Sequence, residues 1–199
     1  MGPITMKMLV TGGNRGLGEH LVNVFGADSA SRANGFDINL NTHEIAVLSL
    51  EYDVFVNNAF DGPPQELWAD FGQAQVYFAV YDAWKTADKT GWIFNIGSTG
   101  EKHLVAPEPR FETYRVAKAA LAHASQQGTQ AFKQNQVKFR TTLITPDRLD
   151  TELSRSRPTW TGNGVNLTDI SNFIQYATTV STNTVVEEAT FYVNFEHKA

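Results

Sequence analysis

Cysteine is absent from the 199 residues. That removes a disulfide framework, a cysteine-ligated zinc or iron–sulfur site, and a thiol nucleophile. Long apolar runs are absent too, and none approaches the roughly 18 residues of a membrane span. The opening stretch, Met1 to Met8, is too short and too polar for a secretory signal. Basic residues are in deficit: 16 Lys and Arg against 21 Asp and Glu leave a net charge of −5. A partner nucleic acid bound through a basic face is therefore not expected. Glycine and proline, 15 and 7 residues, are too few for a disordered or fibrous chain. No repeat or low-complexity tract breaks the chain. Together these absences predict a cytoplasmic protein with no membrane partner. Its length predicts one domain spanning residues 1–199, large enough to bury a core.

What is present is an alternation of strand and helix patterns. Met6–Val10, Asp53–Val56, Trp92–Ile96 and Phe139–Ile144 read as short apolar strands, and Thr190–Asn194 as a last one. Gly18–Phe25, Glu66–Ala87, Tyr114–Phe132 and Thr168–Thr178 carry apolar residues at helical spacing. Between Gly26 and Leu50 the pattern allows a strand at Ala27–Ser31 and another at Phe36–Ile38. Near-continuous apolar strands alternating with helices predict an α/β fold: a Rossmann-like, doubly wound parallel sheet of six or seven strands with helices on both faces.

Four motifs stand at the ends of these elements. Thr11-Gly12-Gly13-Asn14-Arg15-Gly16-Leu17-Gly18 joins the first strand to the first helix. A glycine-rich turn lets a ligand approach the backbone, and the helix start offers N–H groups and a positive dipole end to a phosphate. Its G-x-x-x-G-x-G spacing is a variant of the dinucleotide fingerprint. Asn57-Asn58-Ala59 follows the strand Asp53–Val56, where ligands bind in parallel sheets. Ser98 follows Trp92–Ile96, outside any G-x-S-x-G elbow, which argues against an acyl-transfer nucleophile. Tyr114 and Lys118 lie at i and i+4 on one helix face. Lowering a tyrosine pKa from about 10 to about 7 takes about 4 kcal/mol. A charge about 4 Å away at an effective dielectric of 20 supplies about that much. One lysine is therefore the right size to make the tyrosine a proton donor near neutrality.

The order and placement of the four motifs, from about Met6 to about Thr151, resemble the short-chain dehydrogenase/reductase family. The resemblance implies hydride transfer between a nicotinamide cofactor and a small carbonyl or alcohol substrate. Tyr114 would be the general acid/base, Lys118 would lower its pKa and hold the ribose, and Ser98 would orient the substrate oxygen. Thr11, Gly12, Asn14, Arg15, Gly16, Leu17 and Gly18 are the implied cofactor turn. Asn57, Asn58, Ala59, Pro146 and Thr151 are further implied contacts, with Asn57 beside the adenine-side ribose. Arg15, together with Arg32 after the second strand, favours NADP over NAD, since a 2′-phosphate calls for cations. Asp37 resembles the family's adenine-contacting acid. If the second strand ended at Asp28, NAD would be preferred instead. The substrate loop is expected at about 147–167, with Glu101, His103, Leu104, Trp160 and Asn163 as candidate lining. A homodimer or homotetramer through the two long helices is also implied.

The sequence departs from the family at several points. It is short between Gly18 and Asn57, so the helix after the second strand must be very short or absent. Gln75 stands in the stretch where the family has its proton-relay Asn. Phe60 replaces the Gly after Asn-Asn-Ala, and Asp147 the Gly after the proline. These departures leave one alternative open: a catalytically weak or inactive dinucleotide-binding sensor or scaffold of the same fold. The extended relatives that act on nucleotide sugars lack this turn spacing. The histidines His20, His43, His103, His123 and His197 show no metal-ligand pairing, so no metal is expected.

Overall fold

The computed structural model describes residues 6–60, 71–102, 112–157, 160 and 162–193. Six strands form one parallel sheet: β1 Met8–Thr11, β2 Asp28–Ala30, β3 Val54–Asn57, β4 Gly91–Ile96, β5 Phe139–Pro146 and β6 Glu188–Phe191. Their order across the sheet is β2-β1-β3-β4-β5-β6. Among the described residues six α-helices connect them: α1 Gly16–Phe25, α2 Thr42–Ser49, α3 Gly72–Thr86, α4 Glu112–Lys133, α5 Glu152–Arg155 and α6 Leu167–Thr179. This is the doubly wound, Rossmann-like α/β architecture that the alternating pattern predicts.

The strands are apolar on both sides because side chains alternate and both faces are covered. Leu9, Phe55, Ile93 and Phe139 join a core with Ile45 of α2, Val76, Val80 and Trp84 of α3, and Leu121 of α4. Their neighbours Met8, Val10, Val54, Val56, Trp92 and Phe94 join a second core with Leu17 and Leu21 of α1 and Ile170 and Ile174 of α6. Each fully buried Leu, Ile or Phe among them contributes about 1.5–3 kcal/mol relative to exposure. Two buried indoles also satisfy their N–H groups: Trp84 donates to Ser49 Oγ at 2.9 Å and Trp92 to Thr142 Oγ1 at 2.8 Å.

Three expectations for the chain between Gly18 and Leu50 meet the structure differently. The second strand is confirmed as Asp28–Ala30. The strand expected at Phe36–Ile38 is instead a turn. Asp37 Oδ1 accepts from the Asn39 N–H at 2.8 Å, and the Asp37 N–H donates to Asn41 Oδ1 at 3.0 Å. Short polar side chains here satisfy the backbone locally and outcompete a sheet ladder, so β2 is the sheet's edge. The segment before β3 holds a 3-10 turn at Arg32–Asn34 and then the eight-residue α2. Of the expected helix Glu66–Ala87, the described part runs from Gly72, and Asn194 of the expected last strand lies outside the described residues.

Among the described residues, no helix is long and apolar enough to cross a membrane.

Candidate active site

The sheet order reverses direction between β1 and β3. A crevice forms beyond the carboxyl ends of the strands at such a switch point. The glycine-rich turn after β1 and Asn57–Phe60 at the end of β3 both lie there. Gly12 adopts φ 70°, a left-handed conformation suited to glycine. A Cβ on Gly18 would stand 2.1 Å from the Gly12 carbonyl oxygen, so only glycine lets α1 start this close beneath the turn. Residue Arg15 caps α1 with no side-chain hydrogen bond, which leaves the first-turn N–H groups without a side-chain acceptor. Such a cradle fits a dinucleotide pyrophosphate. Gly16 faces Thr151, the N-cap of α5, so the segment after β5 folds back over the turn. Leu17 turns its side chain into the core, leaving only its backbone to the turn.

The turn is fastened to β3 by Thr11 and Asn58. Thr11 Oγ1 accepts from the Asn58 and Ala59 N–H groups, both at 2.9 Å. Asn58 Nδ2 donates to the Thr11 carbonyl at 3.0 Å. Asn57 is turned inward. It is fully buried, and its Nδ2 donates to the Gln73 carbonyl and to Asn95 Oδ1, both at 2.9 Å. That commits the Asn57 amide nitrogen to the packing of α3 and β4 against β3, where the resemblance implies a ribose contact.

At the edge beside β2, Arg15 and Arg32 are both exposed, and Asn14 Oδ1 accepts from Ser31 Oγ at 3.1 Å. β2 ends at Ala30, so Ser31 and Arg32 follow the strand end. Asp28 lies at the other end of β2 and accepts from the Tyr52 hydroxyl at 3.0 Å. The boundary that would have put an acid at the strand end is therefore not the one adopted.

Beyond β4 and β5, α4 brings its pair into place. The Lys118 Nζ lies 5.7 Å from the Tyr114 ring centroid. Ser98 and Tyr114 converge on Gly100, where a Cβ would lie 3.2 Å from Ser98 Oγ and 3.5 Å from Tyr114 Cε1. Lys118 is buried, 4% exposed, and donates to Gln73 Oε1 at 2.7 Å and to the Ile96 carbonyl at 2.8 Å. The Phe60 ring covers its amine at 5.1 Å and meets the Tyr114 ring edge-on at 4.9 Å. Burial pushes the Lys118 amine down to about 7, against an opposing pull from Glu101. Pro146 closes β5 within the core, and Asp147 Oδ1 accepts from Thr99 Oγ1 at 3.3 Å.

Gln75, which stands in the relay stretch of the sequence, is exposed on α3. The glutamine that reaches Lys118 is Gln73. It is buried, and its Nε2 also donates to the Asn57 carbonyl at 2.7 Å and the Ile96 carbonyl at 3.0 Å. The sequence carried the signal: Gln73 is in helical phase with the buried Val76, Tyr77, Val80 and Trp84, and Gln75 is not. Asn95, which donates to Ser125 Oγ at 2.7 Å, extends the same buried network into α4. Asp37 sits in its turn, and His103 and Leu104 lie outside the described residues.

Solved structures of similar shape share this arrangement of elements. A short-chain dehydrogenase from Burkholderia cenocepacia J2315, in complex with NADP, has a TM-score of 0.72 at 19% identity, covering 95% of this chain and 89% of that one. The fold is that of the short-chain dehydrogenases. A 4-hydroxyisoleucine dehydrogenase complexed with NADH also scores 0.72, at 15% identity over 93% of this chain and 96% of that one. The closed form of a serine dehydrogenase complexed with NADP+ scores 0.69, at 18% identity over 98% and 100% of the two chains. No family model matches the sequence, and no curated protein does. The short-chain-dehydrogenase fold is thus shared with proteins crystallised with either NADP or NADH.

Proposed function

We propose that the protein is an NADP-dependent oxidoreductase that interconverts a small carbonyl compound and its alcohol. The observation that carries this reading is the convergence of Ser98 and Tyr114 at Gly100, with the Lys118 amine 5.7 Å from the tyrosine ring. Bound NADPH would supply the hydride. Ser98 would donate a hydrogen bond to the substrate oxygen and hold it beside Tyr114. Tyr114 would give its phenolic proton to that oxygen as the carbonyl is reduced, and take it back in the reverse direction. A charged Lys118, its amine 5.7 Å from the Tyr114 ring centroid, favours the resulting phenolate by its field. Gln73 fixes the lysine by direct hydrogen bonding.

For the cofactor, the turn from Thr11 to Gly18 would take the pyrophosphate, with Asn58, Ala59, Pro146 and Thr151 nearby. Arg15 and Arg32 support NADP, because β2 ends before Ser31 and Arg32 rather than at Asp28. The substrate loop would be about 147–167 of a single domain, with Trp160 packed against Gly164. Assembly as a homodimer or homotetramer is part of the same reading. Phe78 on α3 and Val116 on α4, 49% and 60% exposed, are the apolar side chains such a contact would cover.

Thermal unfolding with NADPH and with NADH tests the cofactor site. Ligand at 100 times its dissociation constant adds about 2.7 kcal/mol. Stabilisation by NADPH, followed by carbonyl-dependent oxidation of NADPH that is lost in Tyr114→Phe, supports the enzyme. Stabilisation without turnover of any carbonyl favours the alternative, a dinucleotide-binding sensor. That alternative has its own observation: Lys118 spends two N–H groups on Gln73 and Ile96, and Phe60 covers its amine.

A further inference from the structure

Glu101 lies in the 3-10 turn Thr99–Lys102, three residues after Ser98, and no step above uses it. Its carboxyl is turned inward against the end of β4, 3.5 Å from where a Cβ on Gly97 would stand. The residue before Gly97 is Ile96, whose carbonyl holds the Lys118 amine. Glu101 Oε2 is buried with no hydrogen-bond partner among the described residues. The other groups around it are committed elsewhere. Lys102 donates to Glu188 Oε1 at 2.6 Å and to Thr190 Oγ1 at 3.1 Å. Arg115 Nε donates to the Gly100 carbonyl at 3.2 Å. The partners that touch Lys118 are all neutral: an amide oxygen, a peptide carbonyl and the Phe60 ring.

We infer that Glu101 is a positioning residue whose buried carboxyl, set against the end of β4, raises the charged fraction of the Lys118 amine near neutrality and so sets the pH range in which Tyr114 can act. The inference rests on the proposed role of Tyr114 and Lys118. Two electrostatic facts accompany the geometry. Glu101 is the one carboxylate that acts on the Lys118 amine among the described residues, and it holds the proton there against burial. Glu101 itself is pushed up to about 7 by burial and by Glu188, while Lys102, Lys118 and a hydrogen bond from the Ser98 backbone pull it down. Each of the two groups thus favours the charged form of the other.

The test reads Lys118 directly and needs no substrate. Lysine is labelled with 13C at Cε in the full-length protein, and the Lys118 signal is assigned by its loss in Lys118→Met. Its titration is then followed in wild type, Glu101→Gln and Glu101→Asp. The Gln variant should lower the Lys118 midpoint by about one pH unit, a tenfold fall in its protonated fraction above the midpoint. Glu101→Asp should restore most of the shift. Glu101→Met serves in place of Gln if the Gln variant does not fold. A midpoint unmoved by either charge-removing variant overturns the inference. If turnover is found, its pH profile should shift with the lysine midpoint while KM stays the same. A moved midpoint without turnover supports the electrostatic assignment and counts only against the proposed enzyme.

Discussion

Lys118→Met should make the protein more stable relative to wild type as pH falls from the alkaline side. The amine moves from an ordinary 10.5 in the unfolded chain to about 7 in the folded one, because burial disfavours its charge. A base with a lowered folded pKa stabilises fully above its unfolded value and loses that contribution as pH falls toward its folded value. At about 1.4 kcal/mol per pH unit, wild type should lose about 3 kcal/mol from this group between pH 10.5 and about pH 8. Methionine has no such linkage. The variant leaves Gln73 Oε1 and the Ile96 carbonyl without their donor, at about 1–3 kcal/mol each, but that cost does not vary with pH. The measurable quantity is therefore the difference between the two proteins across the pH series. Urea unfolding at half-unit steps, extrapolated linearly, gives it directly. The gap should shift in favour of methionine by about 3 kcal/mol over that range. Parallel stability curves would refute the claim that the folded protein holds this amine against a burial penalty.

Three further outcomes are expected. Tyr114→Phe should cut turnover by a factor of about 100 or more while leaving NADPH-induced stabilisation unchanged, read by single-turnover kinetics and thermal unfolding. Arg15→Ala with Arg32→Ala should weaken NADPH by about tenfold or more and NADH by much less, measured by fluorescence titration; equal losses would remove the 2′-phosphate assignment. Gly18→Ala would press a methyl against the Gly12 carbonyl, where the Cβ would stand 2.1 Å away. It should destabilise the protein by about 1–3 kcal/mol and weaken dinucleotide binding with it, because the turn must move.

The sheet was legible because its strands bury both faces, so Val54-Phe55-Val56 and Trp92-Ile93-Phe94 stand out as short apolar runs. The Tyr114–Lys118 pair was legible because one helical turn suffices to place both side chains. The misreadings have physical causes. Phe36-Asp37-Ile38 has strand-like residues at its ends, yet Asp37 and Asn41 bond the backbone locally and win. Gln75 stands in the relay stretch, yet only Gln73 shares the buried phase of α3. Asn57 reads as a loop residue, but its Nδ2 is committed to Gln73 and Asn95, contacts that form only when α3 and β4 pack beside β3. The sequence marks Glu101 only as candidate substrate lining, because its burial depends on the end of β4 and on β6 meeting around one short turn.

The arrangement of charges around Lys118 follows from two opposing demands. A carboxylate in direct contact would hold the lysine proton firmly, but the paired charges would cancel most of the field at Tyr114. Neutral partners alone would leave the field intact, but burial would strip the proton at physiological pH. The structure uses neutral contacts, Gln73 Oε1 and the Ile96 carbonyl, and among the described residues the carboxylate that acts on the amine, Glu101, is not one of its hydrogen-bond partners. Glu101 thus acts on the proton equilibrium of the amine, while the nearest π-face to the amine besides Phe60 is that of Tyr114 itself.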